Sequence, residues 1–176
     1  MIKLLTVSFL IATGIAAVVL PSWNIGEDYA VRFSTKKAEG TFSDLQGTVI
    51  FDPNNLTEAS FNVSVATASI ETGNNSKNKH ARGKAWFDAE AHPRITFVSK
   101  EIIALNQDYR AAGDLTIKGV TKSVSIDFTF TQTATGGLFT GKTSITRADY
   151  GLDGPFLFGG LVGDVVAVEL KVPVGK

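Results

Sequence analysis

Five side chains able to carry positive charge, Lys77, Lys79, His80, Arg82 and Lys84, fall within residues 77–84. Such a cluster suits a phosphate or pyrophosphate group, which ammonium and guanidinium donors hold by charge-assisted hydrogen bonds. It equally suits the solvated face of a short helix. Arg147 and Asp149 are close in sequence, and they could pair at a strand end or orient a polar head group. His80, His92, Asp88 and Glu90 make only a loose set of metal ligands. His92-Pro93 reads as a turn and there is no third His, so no metal is expected. The signatures of catalysis are missing. There is no Gly-x-Ser-x-Gly elbow and no Gly-rich phosphate loop, and Ser34, Ser99 and Ser125 have no evident His partner. The alternating Asp88 and Glu90 give no glycosidase geometry. With no Cys, thiol catalysis, disulfides and thiolate zinc sites are excluded. The chain reads as a non-catalytic protein without a cofactor.

The rest of the composition narrows the class further. The 176 residues hold 17 Lys or Arg and 17 Asp or Glu, so the formal net charge is zero. A nucleic-acid binder would need a basic surplus. At 44% hydrophobic and 19% charged residues, the chain is a folded globule, and its length fits one domain. Lys3 precedes an uncharged apolar run from Leu4 to Leu20. That pattern reads as a secretory signal over residues 1–21, or as an uncleaved anchor. Residues 22–176 form the remaining domain, expected to be periplasmic or secreted.

Positioning falls to strands. Val124, Ile126, Phe128 and Phe130 alternate with polar residues, as do Val166, Val168, Leu170 and Val172, and Phe61, Val63 and Val65. Similar short runs lie near Tyr29–Thr35, Gly47–Phe51, Arg94–Ser99, Gly113–Ile117 and Gly141–Arg147, giving about eight strands. Turns are expected at Asp52-Pro53-Asn54-Asn55, Asn106-Gln107-Asp108 and Gly136-Gly137. One short helix is expected near residues 75–85. Gly151–Gly163 is too rich in Gly for a regular strand and too apolar for a solvated loop. The class is all-β and antiparallel, either as two packed sheets or as a closed barrel.

Five short motifs in order resemble the YceI-like family. The first is Gly40-x-Phe42-x-Asp44-Leu45-x-Gly47 running to Phe51-Asp52. Ser69-Ile70-x-Thr72 with Trp86-Phe87-Asp88 comes next, then His92-Pro93-x-Ile95-Thr96-Phe97-x-Ser99. Gly113-Asp114-Leu115-Thr116-Ile117-Lys118-Gly119-Val120-Thr121-Lys122 is the longest, and Arg147-x-Asp149-Tyr150-Gly151 with Gly163-Asp164 completes the set. The resemblance spans about Trp23 to Val174. It implies one extended, lipocalin-like antiparallel β-barrel with an apolar channel. The implied partner is a long-chain isoprenoid or other lipid, bound in the periplasm or outside the cell. Two positions depart from the family pattern: Tyr29-Ala30 replaces a His-Ser pair, and Ser123 replaces a Pro. Both bear on the mouth or the choice of ligand.

On that resemblance the channel would be lined by Phe33, Phe42, Phe51, Phe61, Val63, Phe97, Ile117, Phe128 and Leu170. Lys77, His80, Arg82 and Arg147 would meet the head group at the mouth. The Gly151–Gly163 loop would be a lid or an outlier of the core, with transient membrane contact as a further role. A homodimer is compatible with this reading. The alternative is an exported barrel filled by its own side chains, serving as a structural or interaction module without a lipid.

Overall fold

A computed structural model describes residues 22–153 and 163–176. The strands are β1 Ser22–Ile25, β2 Ala30–Ser34, β3 Glu39–Phe42, β4 Gln46–Ile50, β5 Ser60–Ala66, β6 Arg94–Leu105, β7 Asp108–Ile117, β8 Val120–Gln132, β9 Gly136–Thr146 and β10 Val165–Gly175. One helix, α1 Asn75–Arg82, lies between β5 and β6. The apolar run Leu4–Leu20 and residues 154–162 lie outside the described residues, and with them the expected signal and most of the Gly-rich loop.

Every pairing is antiparallel, and the sheet closes on itself. β10 pairs along its whole length with β9, and its last residues, Val174 and Gly175, pair with β1. β1 pairs in turn with β4, so β1, β4, β5, β6, β7, β8, β9 and β10 form an eight-stranded ring. Closure decides the choice between sandwich and barrel, because it leaves no open edge in the ring. β2 pairs with the other half of β10, through Ala167–Lys171, and carries β3 outside the ring.

Tight turns set the long hairpins. Asn106 connects β6 to β7 with φ 46°, and Lys118-Gly119 connects β7 to β8 with φ 50° and 75°. Positive φ at such positions matches the right-handed twist of the flanking strands. The expected turn at Gly136-Gly137 is instead the start of β9. Those glycines serve close approach. A Cβ on Gly137 would lie 2.4 Å from the Phe130 ring, and one on Gly136 would lie 2.0 Å from the Val174 carbonyl. α1 is shorter than the expected 75–85. The Asn74 side chain caps its start by accepting from the Lys77 amide, and Gly83 closes its end.

The interior holds three apolar clusters. The first is aromatic and lies at the β1–β4 end of the ring. Phe51, fully buried, touches the rings of Phe61, Tyr109, Phe128, Phe130 and Phe139 at centroid distances of 5.0–6.2 Å. Most of these pairs are edge-to-face, the geometry that the ring quadrupole favours. Trp23 Nε1 donates to the Phe51 carbonyl at 2.8 Å and fixes the plug to β1. The second cluster joins Val31, Phe42, Val65 and Ile70 under α1. The third joins Ile117, Tyr150 and Leu152.

A row of charges crosses the outer wall. Register places Arg110 beside Asp127, Asp127 beside Lys142, Lys142 beside Glu169, and Glu169 beside Arg32. Signs alternate across five strands. The Arg110–Asp127 pair is two-pronged, at 2.5 and 2.9 Å. The arginine beside it holds the Asp127 carboxyl below its usual range.

Candidate functional site

Between the first two clusters lies an apolar space of about 100 Å³. Its walls are Ile25, Leu45, Val49, Phe61, Val63, Phe97, Ile126, Phe128, Phe139, Gly141, Leu170 and Val172. None of these side chains has a polar atom. The space exists because the inward row of β9 loses its side chain at Gly141, which sits between Phe128 of β8 and Leu170 of β10. At the equivalent place on β7, the Phe97 ring lies over Gly113 and consumes the room, 2.9 Å from where a Cβ would stand.

Five of the nine expected lining residues, Phe61, Val63, Phe97, Phe128 and Leu170, surround this space. The other four stand elsewhere. Phe51 is the centre of the aromatic plug. Phe33 and Phe42 pack on each other at 5.4 Å in the cluster under α1. Ile117 belongs to the third cluster with Tyr150. Strand alternation identifies an inward face but not the height of a residue along the barrel, and height separates lining from plug. Ile25, Leu45, Val49, Ile126, Phe139 and Val172 belong to the same alternating rows and complete the wall. Gly141 left a visible signal, an interruption of the apolar row Phe139-x-Gly141.

α1 covers one end of the barrel. Ala81, with Phe87 just beyond the helix, packs against the second cluster, which also contacts the cavity residues Leu45 and Leu170. Asn78, 2% exposed, anchors the helix. Its Oδ1 accepts from the Thr72 amide at 2.8 Å and the Thr72 hydroxyl at 2.7 Å, and its Nδ2 donates to Glu71 at 2.8 Å. Glu71 also accepts from the Gly73 amide at 2.6 Å. The hydrogen bond from Asn78, then that from Gly73, holds the Glu71 carboxyl below its ordinary value. Lys77, Lys79, His80, Arg82 and Lys84 all point to solvent on this cap. Arg82 donates to the Ile70 carbonyl at 3.3 Å.

Arg147 is not at the surface with them. It is 6% exposed and lies 5.6 Å above the Trp86 ring. It donates to the Leu152 carbonyl, to the Gly163 carbonyl at 2.9 Å and to Asp164 at 3.2 Å. Asp164 therefore takes the place expected of Asp149, because the 3-10 turn Arg147–Tyr150 carries Asp149 outward. Arg147 stitches the two ends of the Gly-rich loop together. Among the described residues, no three His, Asp or Glu side chains come together as metal ligands. A larger open groove of about 440 Å³ lies on the outer wall over the charge row. Its Arg110 and Asp127 already satisfy each other, so the apolar space between the clusters is the better ligand site.

Comparison with known proteins agrees with this architecture. The YceI-like domain matches residues 23–174. UPF0312 proteins of Photorhabdus laumondii and Pectobacterium atrosepticum are 39% and 38% identical over 88 residues. Those matches cover 50% of this chain and 46% of each relative, so the matched stretch spans about half the length of either. Among solved structures, BcnA of Burkholderia cenocepacia aligns with a TM-score of 0.79 at 28% identity, over 84% of this chain and 96% of that one. A Campylobacter jejuni YceI protein aligns at 0.70 and 20% identity, over 98% and 99%. A polyisoprenoid binding domain from Saccharophagus degradans aligns at 0.61 and 16%, over 88% and 94%.

Proposed function

Because this chain belongs to the YceI-like family, we propose that it is a non-catalytic binding protein whose barrel takes up the chain of a long apolar amphiphile. The observation that carries this reading is the space between the clusters with purely apolar walls. A polyisoprenoid or similar lipid suits it. The polyisoprenoid binding domain named above shares the fold, and its ligand class is carried to this chain here as part of the proposal.

Size constrains the mode of entry. Pockets for small molecules usually measure about 300–1,000 Å³, and this one measures about 100 Å³. A slender chain enters by moving half-buried residues, with Leu45 and Leu170 toward α1 the ones placed to yield. The aromatic plug limits its depth at the other end. Each methylene buried contributes about 0.8 kcal/mol, offset by the ordering of the chain. Residues 1–21 would direct export, and the solvated cations of α1 would favour passing contact with an anionic membrane surface.

The size of the plug favours a second reading, a barrel filled by its own side chains that acts as an interaction module. Native mass spectrometry of the purified protein, followed by solvent extraction, separates the two. The carrier reading expects an added mass that leaves with solvent and fragments in isoprene or methylene steps. A clean apo mass, with no thermal shift on adding prenols, would refute it.

A further inference from the structure

Two buried hydroxyls lack any hydrogen-bond partner: Tyr150 Oη and Thr67 Oγ1. Each belongs to a residue only 1% exposed. Among the described residues these are the only buried side-chain polar atoms in that condition. Polar groups elsewhere at this end are well provided for. Asn78 uses both ends of its amide, and Ser69 accepts from the Ser43 amide while donating to the Ala66 carbonyl. An unpaired buried hydroxyl destabilises a fold, and Phe or Val would fill the same volume without that penalty.

Both residues are tied to the start of β6. The Thr67 amide donates to the Pro93 carbonyl at 2.9 Å. Tyr150 packs in the cluster that contacts Phe87 and Ile95, and these two also contact the cluster shared with the cavity residues Leu45 and Leu170. A chain extending from the apolar space past Leu45 and Leu170 would approach Phe87 and Ile95, against which Tyr150 packs. Burial also pushes the Tyr150 phenol above its ordinary pKa, so it stays protonated and able to donate.

Resting on the reading of the barrel as a carrier, we infer that Tyr150 and Thr67 recognise an uncharged, oxygen-bearing head group, an alcohol or a carbonyl. Hydroxyls both donate and accept, so they serve either one. A phosphate is disfavoured there. The nearby buried cation, Arg147, is already engaged by carbonyls and Asp164, and the lysines of α1 face solvent. A charge buried without a counter-charge is far more expensive than a neutral dipole.

The test compares uptake of three probes: a long-chain prenol, its monophosphate, and squalene, a hydrocarbon of the same isoprene unit. The purified protein should prefer the prenol to both others. Tyr150→Phe and Thr67→Val should each reduce the preference over squalene about fivefold, the effect of one neutral hydrogen bond. Each should also raise the Tm of the lipid-free protein, whereas a hydroxyl with a structural role would lower it. Uptake of prenol and squalene with a preference unchanged in both variants would overturn the inference and leave the carrier reading standing. So would stronger uptake of the monophosphate. Uptake of none of the three by the wild-type protein would overturn both.

Discussion

Gly141→Val is the sharpest probe of the internal space. Gly141 borders it, and its backbone is outside the left-handed region, so a side chain is sterically admissible. A Cβ there would stand 3.3 Å from Ile126 Cγ2, 3.4 Å from Phe128 Cβ and 3.5 Å from the Asp127 carbonyl, so Ile126 must yield by a few tenths of an ångström. Three carbons enter the space, at about 0.8 kcal/mol each. Replacing a strand glycine adds about 0.5–1 kcal/mol, and crowding removes about 1 kcal/mol. The net gain is about 2 kcal/mol. It is compatible with the cost of leaving a cavity of about 100 Å³ empty, about 2.4 kcal/mol at 24 cal/mol per Å³. For a domain of this size the lipid-free Tm should rise about 4–8 °C. The same three carbons occupy room that the lipid chain would use, so affinity should fall roughly fiftyfold. Differential scanning calorimetry and fluorescent-lipid titration read the two effects. A variant that melts no higher than wild type would show that this space does not weaken the fold, and one that binds lipid unchanged would show that it does not admit the chain.

Arg147→Lys should destabilise the protein by about 3 kcal/mol in urea melts, because one ammonium cannot serve two carbonyls, a carboxylate and an indole face; near-wild-type stability would refute that role. Glu71 has a lowered folded pKa, so its contribution is complete above its unfolded value and is lost as pH falls through the folded one. Amide exchange across α1 should therefore accelerate in acid below the ordinary carboxylate range, and Glu71→Gln should flatten that dependence. Lys77→Gln and Lys79→Gln should each weaken binding to anionic vesicles by about 1 kcal/mol without moving Tm. An unaltered vesicle affinity would remove membrane contact from the proposed role.

The strands were legible in the sequence because their inner faces alternate so regularly, as in Val124 to Phe130 and Val166 to Val172. Closure was not, since it rests on β10 sharing one side between β1 and β2, a long-range pairing with no local signal. Alternation also told inside from outside without telling height. That is why Phe61 and Phe51, equivalent on paper, separate into wall and plug. The partner of Arg147 was misplaced for a related reason. Asp149 is near in sequence, but the 3-10 turn points it outward and brings Asp164 across the loop.

The row of charges on the outer wall gives this barrel a second reference for its alignment. If β7 slid by one residue against β8, its charges would turn into the apolar interior. A slide of two in one direction would bring Asp108 opposite Asp127, and in the other Asp127 would face Ala112. Either slip of β9 would leave Asp127 facing Thr140 or Ser144 in place of Lys142. Strand alignment is thus written on the outside, away from the apolar interior. The interior is released from that duty, so on the carrier proposal its packing is free to loosen and close again around a chain while the staves of the barrel stay in step.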